Sequence, residues 1–113
     1  MIAQRYVYHA QIINVVDGDT VDANVDLGFN IFFKVRLRLN GINTAELKDA
    51  DATKRAAGNR AKERVTELLK GRNVVIESRK IDKYGRYLAD IYLDSVNINQ
   101  QLITEGLAVP YMV

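Results

Sequence analysis

Thr20-Val21-Asp22-Ala23-Asn24-Val25-Asp26-Leu27 places an apolar side chain at every second position, with Thr20, Asp22, Asn24 and Asp26 between them. A period of two is that of a β-strand with one buried and one wet face. The next stretch repeats the pattern. Phe29, Ile31, Phe33, Val35, Leu37 and Leu39 share one face, while Asn30, Lys34, Arg36, Arg38 and Asn40 take the other, with Phe32 as the exception. This predicts a second strand over 29–40. Upstream, Tyr6 to Val16 reads as a less regular strand, joined to Thr20 by a tight turn at Asp17-Gly18.

After these three strands the period changes. Ala57, Ala61, Val65, Leu68 and Leu69 fit the face of an amphipathic helix from Asp51 or Thr53 to Lys70, with Gly71 placed to terminate it. Two more strands are expected over Asn73–Lys80 and Arg86–Asp94, separated by the turn Asp82-Lys83-Tyr84-Gly85, and Tyr87, Ala89, Ile91 and Leu93 share a face of the second. A short helix follows from Asn97 or Ile98 to Glu105, closed by Gly106. Five strands with a helix after the third is the order of a five-stranded Greek-key barrel of the OB type, a mainly β fold with helices (α+β). The 113 residues make one domain, 1–113.

The composition narrows the chemistry. There is no Cys, so disulfides and thiolate metal sites are excluded. His9 is the only His and lies among strand residues, which leaves no basis for a His-rich metal site or His acid–base catalysis. Ser78 and Ser95 are not in a nucleophile-elbow pattern, and the glycines form neither a phosphate loop nor a dinucleotide fingerprint. Catalysis by this domain therefore has to use carboxylates, arginines, water or a hard metal. No run of eighteen apolar residues is present, so no membrane span is expected. The segment Met1–Ala10 lacks the pattern of a signal peptide, and a cytoplasmic location is expected.

A net charge of only +2 hides an uneven distribution. Residues 34–86 hold fifteen Lys and Arg against seven Asp and Glu, while both flanks are acidic. A basic middle suits a polyanion such as nucleic acid, although a solvated helix face would give the same count. One acid stands out. Asp19 has the parity of Val21 and Ala23, so unless the turn resets the pleat it points inward at a strand mouth, where a cation should meet it.

Three motifs carry a resemblance. Asp17-Gly18-Asp19-Thr20-Val21, Arg38-Leu39-Asn40-Gly41-Ile42-Asn43-Thr44-Ala45-Glu46 and Asp82-Lys83-Tyr84-Gly85-Arg86 occur in that order along the chain. Taken singly, each also fits a hairpin turn or ordinary strand-face charge. Together they resemble the staphylococcal (thermo)nuclease family, and the likeness runs from about Ala10 to Tyr111. The resemblance implies a calcium-dependent phosphodiesterase that cuts DNA and RNA with little sequence preference and leaves 3′-phosphate ends. By position it implies Asp19 and the Thr44 carbonyl as calcium ligands, with Asp17 supporting from behind. Glu46 would orient or deprotonate the attacking water, Arg38 and Arg86 would clamp phosphate oxygens, and Lys83, Tyr84 and Tyr111 would hold the nucleotide.

The chain departs from the family at two of these places. Asn43 stands where the family usually has a metal-binding aspartate, so a neutral oxygen replaces a charged one and a weak calcium site is expected. Ala45 replaces a proline, which loosens the segment carrying Thr44 and Glu46. These 113 residues show no counterpart of the family's third helix, so one side of the barrel is expected to be less covered, a side that pairing with another subunit would cover; monomer and weak dimer both stay open. A nucleic-acid-binding OB module with a decayed site is the alternative to an enzyme.

Overall fold

The computed structural model describes residues 5–111. Residues 1–4 and 112–113, which enter the readings of the leader and of the closing stretch, lie outside the described residues. The chain folds as β1 (Val7–Asp17), β2 (Thr20–Asp26), β3 (Phe32–Leu39), β4 (Ile42–Asn43), α1 (Ala52–Leu69), β5 (Asn73–Ser78), β6 (Tyr87–Leu93), β7 (Val96–Asn97), α2 (Ile98–Thr104) and β8 (Val109–Pro110). The five longer strands form the barrel predicted from the period, with both helices where expected. β1 pairs antiparallel with β2 and β5, β2 with β3, and β5 with β6. A parallel contact between β3 and β6, Leu37 beside Tyr87 through Leu39 beside Ala89, closes the ring.

Closure needs strongly bent strands, and β1 supplies the bend. Its register against β2 slips between Ile12 and Asn14 and again between Val15 and Asp17, two bulges that curl one eleven-residue strand around two partners. Inside, Ile12, Val21, Ala23, Leu39, Ala89 and Ile91 are fully covered, and Val65 and Leu69 of α1 and Ile98 and Leu102 of α2 complete the core. Each buried Val, Leu or Ile gains about 1.5–3 kcal/mol from burial. Asp51 caps α1 by accepting the Thr53 N–H at 2.8 Å, and Asn97 caps α2 by accepting the Gln100 N–H. α2 is fastened to β6 by buried Asn99, whose Nδ2 donates to the Asn40 carbonyl at 2.9 Å and whose Oδ1 accepts the Ile91 N–H at 3.2 Å.

The third strand is shorter than the expected 29–40. Gly28, Phe29 and Asn30 all have left-handed backbone, φ +82°, +55° and +61°, and form the turn between β2 and β3. Phe29 is 98% exposed, and Ile31, Phe32 and Phe33 are largely exposed as well. The alternation is real, but here the hairpin extends past the barrel mouth; Leu37 and Leu39 are buried in the core and Val35 packs against it half-buried. Leu27 is likewise exposed. The other strand limits move by one or two residues: Tyr6, Arg79, Lys80, Arg86 and Asp94 fall outside strands. His9 lies on β1, among strand residues as expected, and is exposed. Among the described residues no helix is long and apolar enough to cross a membrane.

Candidate active site

The β1–β2 turn and the segment after β3 meet on one side of the barrel, and Asp19 is the point of contact. It is 8% exposed, with its side chain turned inward as its parity predicts. Its Oδ2 accepts the Thr44 N–H at 3.1 Å, its Oδ1 accepts the Thr20 hydroxyl at 3.0 Å, and its own N–H donates to Asp17 Oδ1 at 3.1 Å. The cation expected to meet it is Arg38, whose NH2 lies 3.5 Å from Oδ2.

Arg38 is itself buried, at 5% exposure. Its NH1 donates to the Ile42 carbonyl at 2.8 Å and to that of Leu39 at 3.3 Å, and its NH2 donates to Asn43 Oδ1 at 2.9 Å. The guanidinium therefore fixes the chain's turn out of β3 as well as facing Asp19. The short ladder of β4 with β8, extended by the Tyr111 N–H donating to the Gly41 carbonyl at 2.8 Å, brings the Tyr111 ring over it, 5.2 Å from Arg38 Cζ. Two-residue strands have no readable period, and this ladder was not expected from the sequence.

The second arginine comes from the β5–β6 connection. Asp82 accepts the N–H groups of Tyr84 and Arg86 at 2.8 and 2.9 Å and the Arg86 Nε at 2.6 Å, so one carboxylate folds the turn and aims the arginine. Tyr84 stands 5.1 Å from Arg86 and 5.2 Å from Lys83, an exposed ring between two cations.

One open cavity of about 410 Å³ is bounded by Asp17, Asp19, Arg38, Asn43, Thr44, Glu46 and Arg86. Seven of the ten residues expected at the site thus share a single space, although they come from four separate segments of chain. Lys83, Tyr84 and Tyr111 do not line it; they stand behind or beside its arginines. Thr20, Leu47 and Lys48 line it without having been expected.

Two glycines whose role the sequence did not reveal let α1 approach the segments that line this cavity. Gly58 of α1 lies so close to the segment Ala45–Glu46 that a Cβ there would be 2.8 Å from the Ala45 carbonyl oxygen and 2.9 Å from that of Glu46. At Gly18 a Cβ would be 2.7 Å from Ala61 Cβ and 3.0 Å from both Thr44 Cγ2 and Oγ1. The helix is thereby seated directly against the turn and the loop that carry the acids.

The electrostatics of the pair Asp17–Asp19 are asymmetric. Burial, and then the hydrogen bond and repulsion from Asp19, push Asp17 up to about 6. Burial raises Asp19 too, but hydrogen bonds from Asp17 and the Thr44 N–H, with the charge of Arg38, bring it below the usual carboxylate value. Two crowded carboxylates of this kind are relieved by a further cation. No three His, Cys, Asp or Glu side chains gather into a metal-binding group among the described residues. The available donors are the two carboxylates, the Thr44 carbonyl and the Asn43 amide oxygen, all hard oxygens that suit calcium but carry little charge to hold it. The donor chemistry therefore fits a weakly bound hard cation.

Comparison with known proteins agrees with this architecture. The family model described as "Staphylococcal nuclease homologue" matches residues 36–113. The chain belongs to the staphylococcal nuclease family. It is 28% identical to the micrococcal nuclease of Shigella flexneri over 113 aligned positions, covering 92% of this chain and 59% of that protein. An uncharacterized endonuclease of Escherichia coli O157:H7 is 30% identical, with 91% of this chain and 61% of the relative covered. The probable staphylococcal-like nuclease CAN1 of Oryza sativa subsp. japonica is 33% identical over 69% of this chain and 22% of its own length. The chain thus spans about three-fifths of the length of the two bacterial relatives.

Proposed function

We propose that this chain hydrolyses phosphodiester bonds in DNA and RNA, with calcium as its ion and 3′-phosphate ends as its product. The observation that carries the reading is the convergence of Asp19, Arg38, Glu46 and Arg86, drawn from all three motifs, on one cavity. A phosphodiester undergoing attack gathers negative charge on its non-bridging oxygens, and two guanidinium groups aimed at that charge favour the transition state over the ground state.

Glu46 is exposed at the rim. It takes a proton from the attacking water as the new O–P bond forms, while the P–O5′ bond breaks and the leaving oxygen takes a proton from solvent, to which Glu46 returns its own, leaving a 3′-phosphate and a 5′-hydroxyl. Asp19, the Thr44 carbonyl and Asn43 Oδ1 would hold calcium, with Asp17 behind them. Bound there, calcium would supply positive charge beside the phosphate oxygens. Arg38 reaches phosphate by exchanging Asn43 Oδ1 for a phosphate oxygen at NH2, while NH1 stays on the Ile42 carbonyl. The same exchange releases the Asn43 oxygen for the ion, so substrate and cation binding should reinforce each other. Tyr111, Tyr84 and Lys83 flank the two arginines and are assigned to the nucleotide.

The alternative, a nucleic-acid-binding module with a weakened site, draws support from the lack of any cluster of three His, Cys, Asp or Glu side chains able to hold a metal among the described residues. Incubation with supercoiled plasmid separates the two. Nicking that needs calcium, stops with chelator and is lost in Glu46→Gln supports the enzyme; retention on DNA without cleavage under any divalent ion overturns it. Removal of either arginine should lower kcat by on the order of 10², by analogy with loss of an oxyanion donor.

A further inference from the structure

Beside the candidate active site, β3 and β6 part company. They pair only from Leu37 to Leu39 on β3, and the stretch before it, 32–36, pairs with β2 alone. The fork is a second groove of about 410 Å³ that shares Thr20, Arg38 and Arg86 with the active-site cavity. Its far wall is a pair of aromatic rings, Phe33 and Tyr87, with centroids 6.5 Å apart and planes at 81°. Both are 45% exposed, although each belongs to a strand whose later residues enter the core. Lys34 stands beside them without a carboxylate partner among the described residues, and no acidic side chain lines the groove.

We propose that this fork is a second nucleotide subsite, in which a base of an unpaired strand stacks on the Phe33–Tyr87 corner while a neighbouring phosphate lies between Arg38 and Arg86. The inference rests on the reading of the cavity as a phosphodiester site. Its occupant follows from continuity with that cavity and from charge: a strand leaving two arginines meets a groove with a free lysine and no acid. An edge-to-face pair leaves ring surface open at its corner, and any base can stack on it, which gives affinity without sequence preference. A duplex keeps its base faces covered, so the subsite selects unpaired segments.

The test is fluorescence anisotropy with labelled dT8, and with an octamer of abasic residues carrying the same charge, in chelator so that nothing is cut. Phe33→Leu and Tyr87→Leu keep apolar volume and remove the ring face. Each should weaken dT8 binding by about tenfold, within the range for loss of one stacked base, and leave the abasic octamer unchanged. Lys34→Ala should weaken both octamers and lower the salt slope by about one. Equal effects of the ring variants on both octamers, or none on dT8, overturn the subsite. So does a result in which Phe33→Leu dissociates a dimer in sedimentation and leaves dT8 affinity intact, since the fork would then be a self-association edge. Plasmid nicking by the unaltered chain is scored separately: its absence counts against the nuclease reading, and its presence with unchanged dT8 affinity counts against the subsite alone.

Discussion

Gly58→Ala should damage the candidate active site from outside it. The added Cβ would lie 2.8 Å from the Ala45 carbonyl oxygen, about 0.6 Å inside the 3.4 Å where ordinary contact begins, and the neighbours are backbone atoms that cannot rotate away. Two effects oppose each other. Replacing a mid-helix glycine gains about 1 kcal/mol of helix propensity, whereas overpacking costs about 1–3 kcal/mol. The net loss of stability is then about 0–2 kcal/mol, a fall in Tm of no more than about 15 °C for a domain this small. The effect on activity should be clearer. A misplacement of 1 Å can cost on the order of 10² in rate, so displacing Glu46 by about 0.6 Å should slow turnover by roughly tenfold. The assay is the initial rate of plasmid nicking in calcium, run well below the melting temperature, with thermal melts of the same samples. Asn59→Ala, exposed one position along the same helix, is the control. A folded Gly58→Ala variant that nicks as fast as this control would refute the idea that α1 sets the position of the loop.

Gly18→Ala should act on the other side of the same contact, pressing on Ala61 and Thr44 together; a stability loss of about 1–3 kcal/mol in denaturant titration is expected. Asn43→Asp should tighten calcium by one to three powers of ten, the scale of about 1–4 kcal/mol for one extra charge near 4 Å. Part of that gain will be offset, because the new carboxylate faces the Arg38 NH2; calorimetric titration showing no change would remove Asn43 from the ligand set. Asp82 provides a pH test. Burial raises its carboxyl, but the Arg86 and Tyr84 N–H groups and the Arg86 guanidinium outweigh this and hold it below the usual value. Its contribution is therefore present above the unfolded carboxylate value near 4 and lost as pH falls through the lower folded one. Asp82→Asn should lower Tm at pH 7, and the gap to the unaltered chain should narrow steadily as pH falls below about 4; a constant gap would show that its charge is not what matters.

The barrel was legible because alternation in β2, β3 and β6 reports a half-buried sheet directly, and the site because its residues sit in compact motifs at strand ends. Periodicity reports which residues share a face, but not whether another layer covers that face. Phe29, Ile31 and Phe33 alternate as faithfully as Leu37 and Leu39, yet they lie beyond the barrel mouth. The β4–β8 ladder, which seats Tyr111 over Arg38, is too short to have a pattern. Gly18 and Gly58 look like any turn and helix glycine until the helix is laid against the loop. Asp19 was readable for a different reason: a carboxylate in core register demands a partner, and Arg38 is that partner.

The barrel is shut by three parallel residue pairs, and Arg38 belongs to the middle one, beside Leu88. The same few hydrogen bonds that latch the cylinder also set the spacing between β3, which carries Arg38, and β6, which Arg86 precedes. If this latch unzips, β6 and the Arg86 that precedes it part from Arg38, which its pairing with Thr20 of β2 keeps in place, so the two-arginine arrangement is lost well before the domain melts. The Asn40 amide, donating to the Ala89 carbonyl at 2.9 Å, reports on that event: its hydrogen exchange should track the fraction of molecules able to bind phosphate.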